Sequence, residues 1–217
     1  MTAGSALFLF VLVLATGFFS LNVQRLVSYL RLGYVENRTD HPLTRLKNVL
    51  VIGIAQKKIF RDPIAGPMHA LIFWGFMVLT AGTIEIVIAG VFPRFSFALL
   101  LPDALYRSYS LSQDVFALLV IGAVGFALYR RLFLHPKRLE GDNLEHTDAL
   151  IILSMIMGLM ITLLLFTSLL LVVQPDAYGA EKIVSRPLAG VFGTFVSPAA
   201  ANTGYQLFWW MHALLIL

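Results

Sequence analysis

The chain has 217 residues, of which 59% are apolar and 13% charged. A soluble domain carries roughly 25% charged residues, so water is not this chain's main solvent. It has no cysteine, which excludes disulfides, iron–sulfur clusters and thiolate chemistry within the chain and leaves any redox metal to His, Met or oxygen ligands. The formal charge of +4 does not indicate nucleic acid, because the basic residues are sorted by loop rather than gathered on one face.

Five apolar runs follow in chain order. The first, about 6–23, has no Lys or Arg before it and no convincing cleavage site, so it reads as a true span rather than a signal peptide. Residues 43–60 mix apolar side chains with Arg45, Lys47, Lys57 and Lys58, which suits a helix lying in the interface or, nearly as well, a solvated connector. The second run, about 64–92, opens after Arg61-Asp62-Pro63, with Pro63 placed to start a helix, and closes at Pro93. The third, about 115–134, ends in basic residues, and the fourth, about 148–173, stops before Gln174-Pro175. A fifth begins near Tyr205 and is still apolar at Leu217, short of the roughly 20 residues a span needs, so the sequence is expected to end inside a helix. The expected fold is an all-α integral membrane protein, one transmembrane domain over 1–217 built as a five-helix bundle with the last helix incomplete.

Orientation follows from the basic residues. If the first span runs inward, the inner segments hold Arg25, Arg31, Arg38, Arg45, Lys47, Lys57, Lys58, Arg61, Arg130, Arg131, Lys137 and Arg138, leaving Arg94, Arg107, Lys182 and Arg186 outside. That bias places the N-terminus outside. Tyr106, Tyr109, Trp209 and Trp210 then fit an aromatic belt near the outer face.

Two of the five histidines fall inside apolar runs. At about 1.5 Å per residue, His69 lies some 7 to 8 Å below the inner interface and His212 near 10 Å below the outer one. In a slab of about 30 Å that leaves them about 12 Å apart along the normal, too far to share one iron. A partner for His69 at equal depth on the fifth span falls near position 220, and one for His212 on the second span falls near 77 to 80, where Met77 offers a thioether. Ionisable residues within spans mark functional sites by default, and neutral imidazole is a standard haem ligand. The competing account for each is a hydrogen bond to a neighbouring helix's carbonyl or hydroxyl. His41 and His135 read as solvated, and His146, at the mouth of the fourth span, is a reserve metal ligand or proton-handling group.

Glu85, near the outer end of the second span, is a candidate quinone or proton site or an ordinary interfacial residue. Gly66, Gly75, Gly82 and Gly90 let a helix or a porphyrin approach closely, helix packing being the simpler account. Lys57, Lys58, Arg61, Arg130 and Arg131 have a topogenic role and are also candidates for haem propionates or an acidic partner, Arg61 and Arg130 foremost for propionates.

The segments Gln56 to Pro63 with Met68 to Phe76, Arg130-Arg131 with Pro136 to Leu139, Asp148 to Thr162, and Phe208 to His212 together resemble the membrane part of iron–sulfur-binding oxidoreductases related to heterodisulfide reductase and electron-transfer-flavoprotein:quinone reductases. That part is similar to the gamma subunit of respiratory nitrate reductases. The resemblance covers essentially the whole chain and is most specific around His69. It implies five helices holding one or two b-type haems between helices two and five, in the multi-pass cytoplasmic membrane of a bacterium or archaeon. It also implies electron exchange with quinone or quinol, and a cytoplasmic iron–sulfur or flavoprotein partner. By it, His69 is the ligand of the cytoplasmic-side haem and His212 the first histidine of helix five. The sequence departs from the pattern at the second helix-two histidine, near which Leu79 and Thr80 stand. It also lacks a further histidine on helix five and a following cluster-bearing region, as a fragment or a partial reading of a longer polypeptide would.

The expected function is therefore a membrane-embedded b-type cytochrome domain passing electrons between that partner and the quinone pool, the electron-transfer part of a quinone-linked oxidoreductase. The alternative is a non-redox membrane anchor or assembly subunit of a respiratory or photosynthetic complex. A transporter using His69 and Glu85 is disfavoured because there is no internal repeat and no pair of broken helices.

Overall fold

The computed structural model describes residues 3–34, 36, 39–134, 143–177 and 181–217, with the side chains of 143–146 excluded. Among these the chain is helical throughout, with no strand. The long helices are α1 (Ala3–Leu30), α3 (Ala65–Val91), α4 (Asp103–Tyr129), α5 (Asn143–Val173) and α7 (Pro198–Ile216), with α2 (Pro42–Asn48) and α6 (Ser185–Phe192) as short connectors. Four stretches, in α1, α3, α4 with its continuation to Leu134, and α5, are long and apolar enough to cross a membrane. α7 is shorter, at 19 residues or about 28 Å, and its first turns carry Asn202, Thr203 and Gln206.

The helices begin earlier than hydropathy alone suggests. α4 starts at Asp103 rather than Val115, and α7 at Pro198 rather than Tyr205, each with a polar first portion that neighbouring elements bury or solvate. Ser197 starts α7, its side-chain oxygen accepting from the Ala200 amide, and Pro198 takes the first helical position, where its missing N–H costs nothing. The same correction applies at α3. Pro63 does not open the helix; the Asp62 carboxylate accepts from the Ile64 and Ala65 amides, so helical structure starts two residues later.

α3 and α4 pack antiparallel through small residues. A methyl group added at Gly75 would strike Val120, and one at Gly82 would strike the Gln113 side chain. Gly66 lies against the backbone of Ile59 and Phe60, and Gly90 against the Phe8 ring of α1. All four glycines of α3 therefore serve close packing. Gln113 donates to the Val78 carbonyl at 2.8 Å, an interhelical bond in a setting where little water competes. The same register sets Glu85 level with Ser110, and Ala65 level with Arg130. The central core is Leu79, Ala117, Val120, Val124, Met160 and Leu164, joining α3, α4 and α5.

The segment between α1 and α3 is α2, a π-helical stretch Val49–Ile54, and the short 3-10 turn Ile59–Arg61. It is mostly exposed and is tied to α3 where Trp74 Nε1–H donates to the Ile54 carbonyl at 2.8 Å. Its mixed apolar and basic face keeps the interfacial-helix reading open.

Candidate functional site

Each histidine has a distinct setting. His69 is exposed in the second turn of α3. His212 is 4% exposed and points between helices. Its Nδ1 lies 3.0 Å from both the Leu159 carbonyl and Thr162 Oγ1. A carbonyl only accepts, so Nδ1 carries the proton, and Thr162 Oγ1–H can donate to the Gly158 carbonyl at 2.8 Å. The neutral ring is thus held in the tautomer that leaves Nε2 with its lone pair, as in metal-bound histidines oriented by a carbonyl. The Phe166 ring packs edge-on against it at 5.4 Å.

Space decides what that nitrogen can hold. The cavity beside His212, bounded by Leu79, Gly82, Thr83, Ile86 and Met160 among others, measures about 50 Å³. Small-molecule sites run from about 300 Å³ upward, so this arrangement offers a well-oriented donor without room for a macrocycle. Leu79, near the second helix-two position, lines the same cavity, while Met77 is exposed and does not. The α3 wall of this cavity lies 10 to 17 positions beyond His69, or about 15 to 25 Å along the helix, so the two histidines stand on different levels. That exceeds the 12 Å expected, because the packing sets His212 beside Leu79 to Ile86 of α3 rather than at the level of positions 77 to 80.

The remaining expected residues divide by end. Arg61 is exposed and Arg130 half-buried, at the end of the bundle where α3 begins and α4 finishes. His146 falls in the first turn of α5 with its side chain outside the described residues, and His135, Lys137, Arg138 and Arg38 also lie outside them. His41 is exposed at the start of α2. Among the described residues no group of three or more His, Cys, Asp or Glu side chains could hold a metal ion.

At the opposite end sits a polar cluster that hydropathy reading missed in part. Glu85 is more than an interfacial carboxylate: it accepts from Tyr109 Oη at 2.6 Å, Ser96 Oγ at 2.7 Å and the Phe97 amide at 2.7 Å. Asp114, 2% exposed, holds the start of α6, accepting from the Val184 amide at 2.6 Å, the Ser185 amide at 3.2 Å and the Ser185 hydroxyl. Lys182, counted above as an outer loop charge, is 7% exposed, and its Nζ donates to the Ser110 carbonyl at 3.4 Å. Burial pushes the Lys182 ammonium below its ordinary pKa, with Asp114, Glu85 and Glu181 opposing the shift. An acid directly before the apolar run that starts at Val115 was the available signal for Asp114. Its partner was not, because 70 residues separate Asp114 from Val184.

Glu85, Ser96, Tyr106, Tyr109, Ser110 and Lys182 help line a cavity of about 370 Å³. It shares Ala89, Pro93, Tyr205 and Trp209 with a second cavity of about 520 Å³ between α1, α3 and α7, which Trp210 also lines.

No family profile matches the chain, and no solved structure does. Two curated sequences are similar. The probable iron–sulfur-binding oxidoreductase FadF of Bacillus subtilis is 28% identical over 215 residues, covering 99% of this chain and 29% of the relative. The EtfAB:quinone oxidoreductase of Syntrophomonas wolfei is 28% identical over 186 residues, covering 81% of this chain and 25% of the relative. The chain thus spans under a third of the length of either. The chain is similar along most of its length to part of two proteins described as oxidoreductases, and its four helices able to cross a membrane fit a multi-pass membrane protein.

Proposed function

We propose that the chain is the membrane-embedded, b-type cytochrome part of a quinone-linked oxidoreductase, passing electrons between a cytoplasmic iron–sulfur or flavin partner and the quinone pool. The observation that carries this reading is His69. It is an exposed imidazole four residues into a membrane-capable helix, in a chain similar over 99% of its length to a protein described as an iron–sulfur-binding oxidoreductase. In this reading the chain is one domain of five spans with the N-terminus outside, in a bacterial or archaeal cytoplasmic membrane.

His69 would hold the iron by one ring nitrogen, and Arg61 and Arg130, at the same end of α3 and α4, would pair with propionates. When bound, the haem supplies one-electron transfer, while the helices supply orientation and a low-dielectric shell. The single-haem form is preferred, because the 50 Å³ cavity leaves no room for a macrocycle at His212 as folded.

The anchor reading keeps one specific observation in its favour. His212 makes the bond to a neighbouring helix's carbonyl that a purely structural histidine would make. Reduced-minus-oxidised absorption spectra of the full-length polypeptide, purified from its native membrane, separate the readings. A b-type signal lost in His69→Ala and kept in His212→Ala supports one haem at His69. A signal halved by His212→Ala requires a second haem, and wild type without any signal leaves the anchor.

A further inference from the structure

We infer that the 370 Å³ outer cavity is a binding site for the head group of a long-chain hydroquinone or quinone, whose tail leaves through the aromatic-lined cavity between α1 and α7. The inference rests on the quinone-linked reading above and names the site within this chain.

The cavity has the polarity that a ring with oxygens at opposite ends requires. Among the described residues Ser110 Oγ has no hydrogen-bond partner, although Ser110 lines the cavity and is only 2% exposed. A buried hydroxyl left unpaired costs about 1 to 3 kcal/mol, which a ligand oxygen accepting from it would recover. Glu85, on the facing helix at the same level, accepts three donors. A carboxylate has about four lone-pair sites, so one remains for a ligand hydroxyl. Those donors also hold the carboxylate in place before any ligand arrives. Lys182 adds a buried cation beside Ser110, suited to an oxygen that carries partial negative charge.

The apolar requirement is met next door. The 520 Å³ cavity shares four lining residues with the first and is bounded by Gly4, Gly90, Trp209 and Trp210. Phe8 of α1 is buried against Trp209 and Trp210, at ring-centroid distances of 5.4 and 6.1 Å, and against Gly90, three of the residues that line this cavity. A tail there would reach lipid without crossing the polar cluster.

The test uses the full-length polypeptide in detergent and a fluorescent 2-alkyl-4-hydroxyquinoline N-oxide, an alkyl-tailed hydroquinone mimic whose emission is quenched on binding. Glu85→Gln and Ser110→Ala are each expected to weaken binding, Glu85→Gln by about tenfold or more and Ser110→Ala by several-fold. Phe8→Ala should weaken the long-chain probe more than a methyl-tailed one. Near-ultraviolet circular dichroism confirms that each variant is folded, and a variant that fails this is replaced by Ser110→Cys or Glu85→Asp. Binding unchanged within about twofold in both polar variants overturns the site. Binding that responds to Glu85→Gln in a protein lacking a b-type spectrum keeps the site and removes the haem reading. A b-type spectrum with binding indifferent to these residues does the reverse.

Discussion

The two ends of this bundle are built by different means. At the Glu85 end, α1, α3, α4, α5, α6 and α7 converge, and polar side chains close the interior: Asp114 onto α6, Glu85 onto the Ser96 loop, Lys182 onto Ser110. At the other end, α1 separates from the bundle, with Phe18 and Phe19 exposed by 72% and 68%, and His69 stands in the open. Buried polar networks in a low-dielectric interior fix one arrangement, because every broken bond strands a partner. Apolar faces turned to lipid fix little, since lipid tails are as apolar as leucine. The Glu85 end is thus suited to holding a small polar ligand in a set pose, and the other end to receiving something large.

Removing Asp114 is the strongest challenge to that contrast. Asp114→Ala strands two amides and a hydroxyl and removes a nearby negative charge from the buried Lys182, and is expected to cost about 3 to 5 kcal/mol in detergent-solubilised unfolding. Asp114→Asn, which keeps the side chain's shape and one acceptor oxygen, should cost less. A loss under about 1 kcal/mol for Asp114→Ala would mean that the outer network does not hold the bundle.

Next in size is a packing test. Gly75→Val places side-chain atoms where Val120 already sits and is expected to destabilise by about 1 to 3 kcal/mol, whereas Phe19→Ala on the lipid-facing part of α1 should stay within about 0.5 kcal/mol. Equal effects at the two positions would mean that the exposed part of α1 is as tightly packed as the seam between α3 and α4. Thr162→Val, measured the same way, should cost about 1 kcal/mol by removing one of the two oxygens at His212 Nδ1.

How far these features could be read in advance depended on their range. Four spans were legible because a bilayer demands about 20 apolar residues in a row, a purely local signal. His69 and His212 stood out for the same reason, as imidazoles in apolar runs. The polar beginnings of α4 and α7 were not legible, because Gln113, Ser110 and Gln206 look like loop until a partner helix buries or faces them. Nor could Lys182 be told from an ordinary outer charge, since its burial comes from elements distant in sequence. The histidine separation was underestimated because the α3 level that His212 faces is set by packing between helices and not by counting residues from either end.

The smallest expected effect bears on Lys182 alone. Its ammonium is held below the ordinary 10.5 by burial, so the unfolded chain binds more protons than the folded one between the depressed value and 10.5. Stability must then rise with pH across that window and be insensitive to this group below it, where both states are protonated. Asp114, Glu85 and Glu181 oppose the shift, which keeps the rise modest. Melting temperatures of wild type and Lys182→Met, compared from about pH 8 to about pH 10, isolate the contribution, because every other titrating group is common to both. Wild type should gain on the variant as pH rises. A constant difference would place the Lys182 ammonium in water, and with it the outer cavity would lose its buried cation.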